Sequence, residues 1–302
     1  MNGVADATHT VRLSLVTFED LTPVMQELSA EAPAAAAVYD YQTGTAWAFE
    51  GARWFHAAST IKIAVLACLY AELEARGLTP AHRLHVRNRF FSVADGTAYR
   101  ILPSRDANNE VHAQVGRTMH IGDLARHMIA TSSNLATNVL VDYIGVERIR
   151  ARVATAGLDA GIDFRRGVED DRAFDAGVVN RVTAAGLVML LRRLHEQHFA
   201  SPPRTVEMIE SLCAQQFNSG IPAGLPPAVR AIAKVAHKTG EISTVTHDAG
   251  LVYLPGRPPY AIAVLTEAPA ESSGRFERIA RFSGIVYEAV ASRGAVASPG
   301  RT

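Results

Sequence analysis

Two cysteines in 302 residues, Cys68 and Cys213, cannot supply a disulfide framework, and both lie in apolar, helix-like settings where they would pair only if the fold brought them together. Net charge is missing too: 30 Lys and Arg balance 30 Asp and Glu, which leaves no electrostatic footprint for nucleic acid or an anionic membrane. No apolar run approaches the roughly eighteen residues of a membrane span. Met1 to His9 has neither the basic start nor the apolar stretch of a secretory signal. A cytoplasmic protein is expected, or a periplasmic or secreted one if a leader has been removed. There is no glycine-rich phosphate loop and no G-x-S-x-G elbow. The histidines offer no metal set. His195-Glu196-Gln197-His198 spaces its histidines three apart rather than four and reads as a solvated helix end, while His82 and His85 stand among Arg83 and Arg87 without a completing acid or cysteine. The basic cluster Arg83 to Arg89 lacks interleaved stacking aromatics apart from Phe90 and Phe91, so it too reads as a solvated face.

What is present is a globular composition, 48% hydrophobic and 20% charged, long enough for one large domain or two packed ones. Periodicity predicts a helix over 17–31, a hairpin of strands Ala34–Tyr41 and Thr45–Phe49, and helices at Ile121–Ala130, Leu135–Ile144, Glu147–Ala156, Thr183–His198 (capped by Thr183) and Val206–Ala214. Strands Ala231–Ala236, Ala249–Leu254 and Tyr260–Leu265 follow, then a helix over Arg275–Val290 and a frayed tail. Residues 157–182 are Gly-, Asp- and Arg-rich and long for a plain connection, which suggests a functional loop. The order predicts an α+β fold: a mostly antiparallel five-stranded sheet assembled from both chain ends, with a helical domain inserted between its halves. The expected division is 1–58 with 206–302 as the sheet domain and 59–205 as an all-helical domain, with the active site in the cleft between them.

One stretch stands out. Ser59-Thr60-Ile61-Lys62 opens a segment of good helix formers that meets no Pro or Gly until Gly77. Ser59 then sits at or just inside a helix N-terminus, where free N–H groups favour developing negative charge, and Lys62 shares its face. A capping serine and a snorkelling lysine have the same spacing. The apolar flanks Ile61, Ile63, Val65 and Leu66 are unusual ground for a cation; the catalytic reading needs a buried amine, which loses its proton readily and can take one from a serine, and only the rest of the chain decides between the two. Two later triplets fit the same chemistry. Ser132-Ser133-Asn134 falls at a break between helices, and His237-Lys238-Thr239-Gly240 ends a predicted strand, with Gly240 permitting close approach and Lys238 offering a fixed charge.

Together these motifs resemble the serine β-lactamase and penicillin-binding-protein superfamily, nearest its class A β-lactamase-like branch. Asn138 lies downstream of the second motif, and Thr183-Ala184-Ala185-Gly186-Leu187 is similar to the helix start after the family's Ω-shaped loop. The resemblance implies an acyl-enzyme on Ser59, with Lys62 holding the nucleophile's hydrogen bond and Ser132 relaying a proton to the leaving group. It implies that Asn134 binds a substrate amide and that Lys238 and Thr239 bind a carboxylate. Backbone N–H groups of Ser59 and Glu241, beside Gly240, would form the oxyanion hole. The implied partner is a small molecule, a β-lactam or related amide or ester, acted on by a monomer without cofactor or metal. An esterase, peptidase or acyltransferase on another carbonyl substrate is the alternative, as is an inactive penicillin-binding or sensing module.

Two departures qualify the resemblance. Ser133 stands where the class A pattern has an aspartate. The long loop has no Leu-Asn pair, so the deacylating base is open among Glu169, Asp170 and Asp171, with Glu169 the first choice and solvated loop acids the other reading. If Glu169 does not reach the acyl carbonyl, acylation would proceed while hydrolysis stayed slow. The run Arg87 to Asn109 resembles an insertion that could wall the cleft.

Overall fold

The computed structural model describes residues 17–294; the readings of Met1–His9 and of the extreme C-terminus lie outside them. Strand β1 (Ala34–Asp40) is buried almost throughout, so both faces of its sheet must be covered. Period-two alternation divides it: Ala35 and Ala37 face one core, and Ala34, Ala36 and Val38 face the other. With β2 (Thr45–Phe49), β3 (Lys234–Ile242), β4 (Val245–Tyr253) and β5 (Tyr260–Glu267) it forms a five-stranded antiparallel sheet of order β3-β4-β5-β1-β2. The α+β fold and the sheet drawn from both chain ends are as the sequence predicts. Helices α1 (Leu21–Glu31) and α8 (Arg275–Gly294) cover one face.

The other face meets the helical layer. Helix α2 (Lys62–Ala75) is buried at every residue from Lys62 to Leu73, as an all-round apolar helix must be. It is enclosed by α3 (Ile121–Ala130), α4 (Asn134–Ile144), α5 (Val146–Thr155), α6 (Ala184–His195) and α7 (Pro202–Cys213), and α6 lies against β1 and β5. Residues 59–205 also carry short strand pairs, Arg83–His85 with Thr118–His120 and Phe90–Phe91 with Ala98–Tyr99. Cys68 and Cys213 are free thiols. His195 is not solvated: it is half-buried, its ring edge-on to Tyr41 and its Nδ1 3.1 Å from the Tyr253 hydroxyl.

The predicted strands Ala231–Ala236 and Ala249–Leu254 are displaced. The first runs on through His237, Lys238, Thr239 and Gly240, so the Lys-Thr-Gly triplet lies within β3 rather than at its end. The second starts four residues earlier, at Val245. The residues outside the predicted strands are polar, yet His237, Lys238, Thr239, Thr246, His247 and Asp248 are all buried. Partners make that burial tolerable. His237 Nδ1 lies 2.9 Å from Asp248 Oδ1, and Asp248 Oδ2 accepts the Ile221 N–H at 2.8 Å. His247 donates from Nε2 to the His56 carbonyl at 2.9 Å and accepts the Thr266 N–H at Nδ1. Burial lowers the His247 pKa to about 4, so the ring is neutral and this tautomer is the one its partners require.

The long loop closes on a narrow neck. Ile162–Asp163 pairs with Arg181–Val182, and the predicted cap Thr183 accepts the Gly186 N–H at 2.9 Å. Gly186 meets Gly161 backbone to backbone; a Cβ on Gly186 would fall 2.4 Å from the Gly161 carbonyl oxygen. Gly186→Ala is therefore expected to cost about 1–3 kcal/mol, the range of an overpacked core, and to loosen the loop with it. Denaturant unfolding and amide exchange across 162–182 check this; wild-type stability and protection would show that the neck is not tight.

Candidate active site

The chain reaches Ser59 through a 3-10 turn, Ala58–Ile61, that leads straight into α2. The turn is built by local bonds. Ala58 N–H donates to His56 Nδ1 at 3.0 Å, Thr60 Oγ1 donates to the Ala57 carbonyl at 2.6 Å, and Ala57 N–H donates to the Asn180 carbonyl at 2.9 Å. Edge strand β3 runs against it: a Cβ on Gly240 would lie 3.1 Å from the Thr60 nitrogen and 3.0 Å from its methyl group, so glycine lets strand and turn touch. Ser59 and Glu241 come to line one cleft of about 290 Å³ with Asn134 and Glu169. A larger groove of about 590 Å³ beside Trp54 contains none of the sequence-predicted residues.

Lys62 cannot snorkel, because it starts a helix enclosed on all sides. Its Nζ donates to the Ser132 carbonyl at 2.6 Å, to Ser132 Oγ at 3.1 Å and to Asn134 Oδ1 at 2.8 Å. Burial brings its pKa down to about 7, with Asp106 and Glu169 pulling the other way. Lys238 is equally buried and donates to the Thr239 carbonyl at 2.9 Å. Burial holds it well below the usual lysine range, and the Lys62 charge lowers it further, so the fixed cation expected there is opposed by its surroundings.

Ser132 presents carbonyl and hydroxyl to one amine because its backbone is left-handed, with φ 57°. Five non-glycine residues among those described take positive φ, and three of them, Ala58, Ser132 and Glu169, are at this site. Such strain persists where the surroundings over-determine it, which marks candidate functional positions.

Sequence reasoning missed Asp106. Its carboxylate is buried and caps α4, accepting Asn134 N–H and Leu135 N–H at 2.9 Å each, and Ser133 Oγ–H at 3.1 Å. The carboxylate absent at Ser133 is thus supplied from a neighbouring loop. The unusual Ser133 was the available signal, since a helix start stripped of its acid needs another.

The three loop acids part company. Asp170 caps the short helix Asp171–Asp175, accepting from Ala173 N–H at 3.2 Å, and also takes the Val93 N–H at 3.1 Å. Asp171 is exposed and pairs with Arg105 through both oxygens, at 2.7 and 3.2 Å. Glu169 turns into the cleft. Its Oε1 accepts Asn134 Nδ2–H at 3.3 Å, and its Oε2 lies 2.5 Å from Arg105 Nε as an ion pair without hydrogen-bond alignment. Burial raises its pKa, and the Arg105 charge opposes the rise. Buried Asn138 holds the adjoining Val168 by both its N–H and its carbonyl, at 2.8 Å each, and Asn180 holds the backbone of Arg166 in the same way at 3.1 and 2.9 Å. Arg105, from the insertion-like run, walls the cleft mouth.

The described residues contain no group of three or more His, Cys, Asp or Glu placed to hold a metal, and no helix long and apolar enough to cross a membrane. A β-lactamase from Bacteroides uniformis is 27% identical over 186 residues, covering 57% of this chain and 61% of that protein. One from Streptomyces fradiae is 24% identical over 247 residues, covering 80% and 75%. Among solved structures, a point mutant of PBP-A in an acyl-enzyme complex with penicillin G superposes with a TM-score of 0.76 at 24% identity, over 90% of this chain and 97% of that one. A β-lactamase from Sphaerobacter thermophilus gives 0.76 at 21% identity, over 91% and 98%. At these identities the superpositions establish the fold alone. The family description "Beta-lactamase enzyme family", however, matches residues 20–290, nearly the whole described chain, and the protein belongs to that family.

Proposed function

We propose that the cleft carries out acyl transfer from a β-lactam amide, or a related amide or ester, first to Ser59 and then to water. The observation that carries this reading is the buried Lys62 amine, poised near neutrality and bonded to Ser132 Oγ at the foot of the turn bearing Ser59. Ser59 Oγ attacks the carbonyl carbon and its proton passes to Lys62. The carbonyl oxygen takes the negative charge between the backbone N–H groups of Ser59 and Glu241. Collapse breaks the C–N bond, and the proton travels from Lys62 through Ser132 Oγ to the leaving nitrogen. Thr239, beside Lys238, faces a substrate carboxylate, and Asn134 Nδ2 exchanges its present acceptors for a substrate amide carbonyl.

Hydrolysis then needs a base for water. Asp170 is spent on a helix cap; Glu169 and Asp171 both line the cleft with Ser59 and both pair with Arg105, and Glu169 fits better because its side chain is turned inward, 21% exposed against 63% for Asp171. Water adds to the ester carbon and gives its proton to Glu169; the bond to Ser59 Oγ breaks, and the serine recovers a proton as the acid leaves.

Intact mass measured over time with a penicillin should show an adduct on Glu169→Gln that decays about 10²–10⁴ times more slowly than on wild type, and none on Ser59→Ala. Equal turnover by Glu169→Gln would remove Glu169 from the mechanism. Because Lys62 must be neutral to accept the serine proton, the acylation rate should climb as pH rises through about 7, the value to which burial brings the amine. A rate flat from pH 5 to 9 would argue against Lys62 as the base. The Asp106 charge raises the Lys62 pKa, so Asp106→Asn should shift that climb to lower pH. Asp106→Ala, leaving buried donors unpaired, should lose on the order of 3 kcal/mol of stability by denaturant titration; a loss near zero would mean that α4 does not depend on this cap.

A further inference from the structure

Among the described residues Arg105 is the one cation paired directly with the candidate base, and nothing in the acyl-transfer scheme uses it. It sits on a separate turn, Pro103–Arg105, and reaches across the cleft mouth to the loop of acids. Its Nε faces Glu169 Oε2 while its two terminal nitrogens hold Asp171, so one guanidinium clasps two carboxylates of a single loop. Around this clasp the backbone has little freedom. Glu169 is left-handed at φ 58°, and Asn138 pins Val168 from both sides. Movement of the carboxylate therefore means rotation of the Glu169 side chain away from Arg105, not movement of the loop.

We infer that Arg105 acts as a brake on Glu169: the ion pair holds the carboxylate off the acyl-enzyme, so that release from Arg105 limits hydrolysis of the Ser59 ester. The inference rests on the acyl-transfer reading above and concerns its second half only. Physically, a carboxylate paired with a guanidinium is a weaker base than a free one, and general-base rates follow basicity. The second oxygen, which accepts from Asn134 Nδ2 before substrate arrives, is released when that amide turns to the substrate, so the brake acts through Oε2 alone. Asp171 moderates the brake by drawing the same guanidinium outward. The remaining charges facing Glu169 are Lys62, which lowers its pKa with Arg105 and Arg166, and Asp171, which raises it. Covalent chemistry is unchanged by the brake. Water still adds to the ester carbon, its proton still goes to Glu169, and the Ser59 Oγ bond still breaks.

The test uses the full chain, acylated with penicillin G, freed of excess antibiotic and followed by intact mass from pH 6 to 9. Where decay outruns sampling, kcat replaces it. In Arg105→Gln the adduct should decay about two- to fivefold faster than in wild type near pH 8, the scale of losing one partly exposed ion pair. Loss of the cation raises the Glu169 pKa, so the acid limb of the decay profile should move to higher pH, which a merely structural effect would not do. Arg105→Lys, keeping charge but losing the fork, should fall between the two. Asp171→Asn should slow decay, since Arg105 is then left to Glu169 alone. Decay in Arg105→Gln at or below the wild-type rate, with an unmoved pH profile, overturns the brake while leaving the acyl-enzyme reading intact. Absence of any adduct or turnover in wild type and variants overturns the reading, and the brake with it.

Discussion

An amine with no route to water is the constraint on which this site is built. Lys62 opens a helix whose every neighbour is protein, so its stem cannot carry the charge outward, and burial lowers its pKa to about 7. A second buried amine, Lys238, lies within its field, which makes charging both costly. Such a pocket binds a proton only weakly. In the proposed reaction it hands that proton on to Ser132 Oγ, which lies 3.1 Å away.

Much of the surrounding architecture follows from presenting oxygen atoms to that amine. Ser132 takes a left-handed backbone so that both its carbonyl and its hydroxyl face Nζ, and Asn134 adds an amide oxygen. These residues sit at the start of α4, where free N–H groups must be satisfied, and the buried Asp106 carboxylate does so. On the other side, glycine at 240 lets the edge strand press against the turn of Ser59. Edge strands leave alternate N–H groups unpaired, which in the proposed mechanism would supply one side of the oxyanion site without a dedicated side chain.

What the sequence made legible was local chemistry. Ser59, Lys62, Ser132, Asn134 and the Lys-Thr-Gly triplet stood out as candidates because each sits in a short motif, although the triplet lies within β3 and not at the break where the strand was expected to end. The sheet from both chain ends could be read from its alanine- and valine-rich strands. The polar halves of β3 and β4 could not, since His237, Thr246, His247 and Asp248 carry no strand signal until their partners on β4, β5 and the segment before Ser59 are known. Asp106 and Arg105 were hidden for a similar reason. Their importance comes from residues 27 to 66 positions away, and no local pattern announces such a partner.

The acids at 169, 170 and 171 show why motif and structure carry different information. As a run of like charge they read as one solvated patch. In the fold the positive φ of Glu169 turns the chain between them, so that one carboxylate enters the cleft, one caps a helix and one meets a surface arginine. Ser133 and Asp106 make the converse point: the carboxylate expected within a motif arrives from a distant loop and satisfies the same helix start. Position in space is what the chemistry requires, and this chain meets that requirement from a different place in its sequence. The site is therefore better described by which groups face Lys62 and Glu169 than by which letters adjoin them. Arg105, outside every motif, holds the carboxylate proposed as the base for hydrolysis.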